Sequence, residues 1–137
     1  MDGYGKRILV VDEDAGCRAL VVAQLEHEGY AVQTACDGVA GLDEMRKRRF
    51  DAVITDCRMP GFIGHEFAGF CGIVWPDTPL IILTGDLNFL TEYADEFDAA
   101  ACIRKPYEAA MLLSVLHTVT QPVSTEHGTF SMAQMTP

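Results

Sequence analysis

FDAVITDCRMPGFIG, residues 50–64, sets a short apolar run, Ala52 to Thr55, directly before Asp56 and then breaks into a loop of turn-forming residues. A run this short, apolar throughout and bounded by turn signals, reads as a strand buried on both faces. Three other segments share its build: ILVV before Asp12-Glu13, LIIL before Thr84 and ACIR before Lys105. As neighbouring parallel strands, they would gather an acid pair, a lone acid, a hydroxyl and an amine at one sheet edge. Open α/β sheets hold their ligands at that edge.

Outward from these runs the apolar period changes to that of helices. Asp14 is placed to cap a helix carrying Cys17, Leu20, Val21 and Leu25 at helical spacing, and Gly29 stops it. A strand over 31–35, a helix over about 39–48 and a helix over about 65–74 follow, with Pro76 and Pro79 framing the turn into the strand 80–83. Leu90, Tyr93, Ala94 and Phe97 mark a fourth helix, residues 100–104 a fifth strand, and Ala109, Leu112, Leu113 and Leu116 one face of a last helix over about 107–119. Five βα units require right-handed crossovers and a parallel sheet with helices on both faces, a three-layer α/β sandwich. Residues 1–120 form that domain; 121–137 lose the period, gather Ser, Thr, Pro and Gly, and read as a disordered tail.

At 137 residues and 49% hydrophobic, the chain has room for one such domain. Its formal net charge of −10 repels phosphate backbones and anionic membranes, so proteins and cations are the expected partners. Five cysteines, at 17, 36, 57, 71 and 102, show no metal-binding spacing and are expected to be reduced and mostly buried. No apolar stretch is long enough to span a membrane and the N-terminus has no signal-peptide core, which makes the cytoplasm the expected compartment.

Asp12, Glu13 and Asp56 at adjacent strand ends place carboxylates about 4.8 Å apart from strand to strand. Like charges so close raise one another's pKa unless a cation intervenes, and Mg²⁺, a hard ion that keeps several waters, suits them. Beside the metal, Thr84 and Lys105 would offer a hydrogen bond and a positive charge to a phosphoryl group, with Asp56 as the acceptor nucleophile.

The segments ILVVDED, FDAVITDCRMPGFIG, LIILTG and IRKPYE together resemble the receiver domain of two-component response regulators, over residues 7 to about 119. The resemblance implies a flavodoxin-like sheet in the order 2-1-3-4-5. It implies that a sensor histidine kinase or histidine phosphotransfer protein passes a phosphoryl group to Asp56 with Mg²⁺, and that the domain is a phosphoacceptor signalling module, not an enzyme, which catalyses only its own phosphotransfer and dephosphorylation. By motif position Glu13, Asp56 and the Arg58 backbone carbonyl are the metal ligands, with Asp12 acting on the metal directly or through water; Thr84 and Lys105 complete the site, and Lys105-Pro106 is expected to be a cis peptide. Output would pass to a partner or an effector domain outside this sequence, with homodimerisation through the face formed by the fourth helix, fifth strand and last helix.

Several positions depart from that pattern. Cys102 stands three residues before the lysine where receivers often carry Tyr or Phe, which puts the usual transmission of the signal in question. Arg58 and Asp86, of opposite charge, flank the approach to Asp56, either as independent solvated side chains or as a pair that would shield a phosphoryl group from water. Asp98 replaces the usual Gly before the fifth strand, and the basic run Arg46 to Arg49 closes the second helix, as a complement to its C-terminus or as a docking patch for an acidic partner. Two other readings remain: a degenerate receiver that binds partners without phosphorylation, and a haloacid-dehalogenase-like phosphatase with Asp12 as nucleophile and Asp14 as acid/base. The latter leaves DCRMPG without a role.

Overall fold

A computed structural model describes residues 5–56, 64–85 and 99–121. The expected fourth helix, Asp98 and the tail beyond 121 lie outside the described residues.

Strands β1 (Arg7–Val11), β2 (Ala31–Ala35), β3 (Ala52–Thr55), β4 (Leu80–Thr84) and β5 (Ala101–Arg104) form one sheet. All pairings are parallel and the order is β2-β1-β3-β4-β5, as the sequence implied. Every residue of β3 and β4 is buried, whereas β2, at the sheet edge, buries only Ala35. The central strands therefore read as unbroken apolar runs and the edge strand does not.

Side chains alternate along the strands, so each face of the sheet builds its own core. On one side Leu9, Val11, Val53, Leu80 and Ile82 meet Phe67 and helices α2 (Gly38–Lys47) and α3 (Gly64–Val74). On the other, Ile8, Val10, Ile54, Ile81 and Ile103 meet α1 (Ala15–His27) and the C-terminal helix Ala109–Val119. Each fully buried Leu, Ile or Phe contributes about 1.5–3 kcal/mol of transfer free energy.

Asp14 caps α1 as expected, its Oδ1 accepting from the Cys17 amide at 3.0 Å, and Gly29 follows the helix end at φ 91°, a left-handed turn that suits glycine. Leu20 departs from expectation: it is 56% exposed, so the buried stripe of α1 is Val21 and Leu25. Helix α2 begins at Gly38 because Asp37, not singled out above, accepts from the Ala40 amide at 2.8 Å. The C-terminal helix starts two residues later than expected, since Glu108 is still extended, at φ −87° and ψ 140°. Its buried residues are Leu112, Val115 and Leu116.

None of the four described cysteines forms a disulfide. Cys71 and Cys102 are buried, Cys17 is half-buried and Cys36 exposed, so burial holds for only two of them. Burial pushes the Cys71 thiol up to about 12. Among the described residues no helix is long and apolar enough to cross a membrane.

Candidate functional site

The strand register brings the chemistry together. Val11 pairs with Thr55, so the next residues, Asp12 and Asp56, leave the sheet side by side. Their backbones stay on the ladder a step longer, Asp12 N–H donating to Ala35 O at 3.1 Å and Asp56 N–H to Val11 O at 3.0 Å. Thr84 pairs with Arg104, and the Lys105 amide donates to Thr84 O at 2.9 Å, which carries Lys105 toward the two acids. The Lys105-Pro106 peptide is cis.

Lys105 Nζ lies 3.2 Å from Asp12 Oδ2 and 3.1 Å from Asp56 Oδ2. The conflict between the acids is thus relieved in part by the chain's own ammonium, a role beyond the phosphoryl contact expected of Lys105. Burial weakens the lysine's charged form, but the hydrogen bonds and charges of Asp56 and Asp12 outweigh it and raise its pKa above the ordinary value. The ammonium is therefore fully protonated at neutral pH.

The two carboxylates differ in access. Asp12 accepts on both oxygens, from Lys105 and, at 2.9 Å, from the Asp14 amide, and its side chain is 6% exposed. That of Asp56 is 15% exposed. Glu13 is exposed, and among the described residues no three His, Cys, Asp or Glu side chains are gathered closely enough to hold a metal. Thr84 is wholly buried at the end of β4. Arg58, with its carbonyl, and Asp86 lie outside the described residues.

Arg18 is a site residue that the sequence reading passed over. From α1 its guanidinium donates to the carbonyl of Asp12 at 2.7 Å and to that of Glu13 at 3.3 Å, fixing the backbone of the acid pair. An Arg one turn after a capping Asp looks like a solvated helix residue, and only the placement of α1 over β1 gives it this contact. Asp14 is spent as a cap, and amide hydrogen bonds from Cys17 and then Gly16 lower its pKa. A carboxyl held in its ionised form is poorly suited to the acid/base role of the phosphatase reading.

Cys102 is buried among the residues facing α2 and α3, the side of the sheet that Leu80 and Ile82 also face. Tyr107 packs against the opposite core, where its hydroxyl donates to Gln24 Oε1 of α1 at 3.4 Å. The tyrosine nearest Lys105 in sequence thus does not occupy the place of the aromatic residue that Cys102 replaces.

A five-stranded 2-1-3-4-5 sheet with two aspartates and a lysine converging at its C-terminal edge defines a receiver-type α/β domain. The family model for the response regulator receiver domain matches residues 8–117. A Mycobacterium sp. (strain KMS) protein, response regulator MprA, is 33% identical over 129 residues, 93% of this chain and 56% of the relative. The chain spans about half the length of the curated relatives it matches. The chemotaxis response regulator CheY4 of Vibrio cholerae superposes with a TM-score of 0.77 at 30% identity, covering 84% of this chain and 98% of the other. TrrA of Thermotoga maritima, solved in complex with Mg(2+)-BeF, gives 0.76 at 30% identity, covering 83% and 98%. The chain belongs to the response regulator receiver family of two-component signalling.

Proposed function

We propose that Asp56 is the phosphoacceptor and that the domain works as a phosphorylation-dependent switch of protein contacts. The observation that carries the proposal is the pair of carboxylates held on a single ammonium, Asp12 and Asp56 within 3.2 and 3.1 Å of Lys105 Nζ, with Asp56 the more accessible. In the reaction a carboxylate oxygen of Asp56 attacks the phosphorus of a phosphohistidine as the N–P bond breaks. The bonding pair stays on the imidazole nitrogen, and an acyl phosphate is left on Asp56. Lys105 then has a phosphoryl oxygen as a stronger partner than a neutralised carboxyl, and the hydroxyl of Thr84 turns from its buried position to donate to another.

Mg²⁺ fits the donor chemistry, since it takes one or two carboxylates and keeps waters for its remaining positions. Asp12 and Asp56 would hold it, with Glu13 and the Arg58 carbonyl as further ligands; bound there, it neutralises charge that builds on the phosphoryl oxygens. The donor would be a sensor histidine kinase or histidine phosphotransfer protein in the cytoplasm. The signal would leave through a partner or an attached effector, or through homodimerisation on the β5 side.

Incubation with Mg²⁺ and acetyl phosphate followed by intact mass measurement tests this. One phosphoryl group is expected on the wild type and none on Asp56→Asn. An unlabelled wild type would favour the degenerate reading, and a labelled mutant would move the nucleophile to Asp12.

A further inference from the structure

The basic run that closes α2 has no part in the phosphoacceptor site, and its place in the fold gives it another use. Four of the chain's ten basic residues, Arg46 to Arg49, stand consecutively in a protein of net charge −10. They line a groove of about 470 Å³ whose apolar wall is Phe50, Val74, Trp75 and Pro76. The groove lies at the end of the sheet where β3 and β4 begin, so the length of β3, about 13 Å at 3.3 Å per residue, separates it from Asp56.

The charge is only partly spent within the chain. Lys47 pairs with Asp43 at 2.9 Å and Arg48 with Glu44 at 3.6 Å, each one turn back on the same helix. Arg46 and Arg49 are exposed and have no ion-pair partner among the described residues, and Asp77 is the one acid lining the groove. Val74, which lines the groove, belongs to an apolar edge that α3 turns to solvent: Phe70 is 39% exposed, Ile73 81% and Val74 46%, at positions i, i+3 and i+4. Trp75 is held by a turn, its amide donating to Cys71 O at 2.8 Å and its carbonyl accepting from Thr78 at 3.1 Å, with the Phe70 ring tilted against it at 50° and 6.2 Å between ring centroids. A fixed aromatic beside unspent guanidinium groups is the composition of an interface anchor.

We propose that this groove docks an acidic segment of a partner protein, one whose Leu, Ile or Phe side chains enter against Val74 and Trp75 while Asp and Glu meet Arg46 and Arg49. Charge complementarity selects this occupant. A second copy docked by the same face would set one basic run against another, and the apolar wall serves nothing in a bare anion site. The surface is independent of the phosphoacceptor reading and leaves Asp56 open to a phosphodonor while the partner is bound.

The chain has a single tryptophan, Trp75, so its intrinsic fluorescence reports on the groove directly. Random 12-residue peptides displayed on phage are selected against the full 137-residue chain, and Trp-free winners are synthesised and titrated. Expected are winners rich in Asp and Glu with interspersed apolar residues, a change in Trp75 emission, and affinity that falls as NaCl rises. Affinity should fall tenfold or more in Arg46→Glu/Arg49→Glu, and severalfold in Val74→Ser, whose exposed position keeps the fold intact. Both variants should still take up phosphate from acetyl phosphate. Winners without acid, no winners, or binding that survives both variants would overturn the proposal. So would a wild-type dimer in sedimentation that Arg49→Glu dissociates, which would give the face to a second copy.

Discussion

The two faces of the sheet are built differently. Against α1 and the C-terminal helix the core is chiefly branched aliphatic, Val21, Leu25, Leu112 and Leu116 over Ile8, Ile54, Ile81 and Ile103. Against α2 and α3 it is centred on one wholly buried ring, Phe67, among small groups that include Ala35, Ala68, Cys71, Ala99 and Cys102. Thr84, two residues beyond Ile82 on the same strand, faces this second side. The side with the small residues is therefore the side on which a movement of Thr84 would be felt. A core assembled from a wedge and small neighbours concentrates its stability in the wedge, whereas interlocked aliphatics spread theirs.

Phe67→Ala tests that contrast most severely. It should cost about 3–5 kcal/mol in urea unfolding, because removing a wholly buried ring leaves a cavity that the surrounding core fills only in part. A loss below about 2 kcal/mol would mean that this face collapses as readily as any and that the contrast is only compositional.

The sheet was legible from sequence because its central strands are buried on both faces and appear as short apolar runs, each ending in a reactive side chain. Edge strand β2, which buries only Ala35, has no such run and was placed only as the strand that follows Gly29. What could not be read were contacts that need two elements placed at once. Leu20 continues the stripe of α1 on paper but points away from the sheet, and Arg18 gains its role only when α1 lies over the Asp12 carbonyl. Lys105 was expected to meet a phosphoryl group, yet its bond to Asp12 depends on β1, β3 and β5 being in register. The small size of Gly41 has a purpose only in view of Phe67.

Lys105 stands at the rim where the two faces meet, and Lys105→Met should cost about 1–3 kcal/mol at neutral pH by leaving two carboxylates without their shared donor. The pH dependence has a definite sign. Because the folded protein raises this lysine's pKa above 10.5, its stabilisation is complete below that value and is lost as pH climbs through the folded pKa. The gap in urea midpoint between wild type and variant should hold from pH 7 to about 9 and narrow above about 10.5. A gap that narrowed toward acid instead would mean that titration of the carboxylates governs it.

Gly41→Ala sharpens the picture of the wedge. A Cβ there would lie 2.9 Å from Phe67 Cε1 and 3.2 Å from Val11 Cγ2, too close for a ring packed on all sides. Alanine favours the helix by about 0.5–1 kcal/mol, while overpacking costs about 1–3. The net expectation is a loss of about 1 kcal/mol in thermal or urea unfolding. A gain in stability would show that Phe67 yields easily, and the wedge would then be a looser fit than its burial suggests.

Tyr107→Phe has the smallest expected effect and separates the faces functionally. The substitution removes a 3.4 Å hydrogen bond to Gln24 and leaves the ring on the α1 side, so the loss should be about 0.5 kcal/mol or less. Nuclear magnetic resonance spectra recorded with and without Mg²⁺ and acetyl phosphate should show the same amide shifts at Thr84 and Cys102 in variant and wild type, because those residues respond on the other face. If the variant instead blunts those shifts, the signal crosses the sheet through Tyr107, and the ring would do from the α1 side what an aromatic at position 102 does in other receivers.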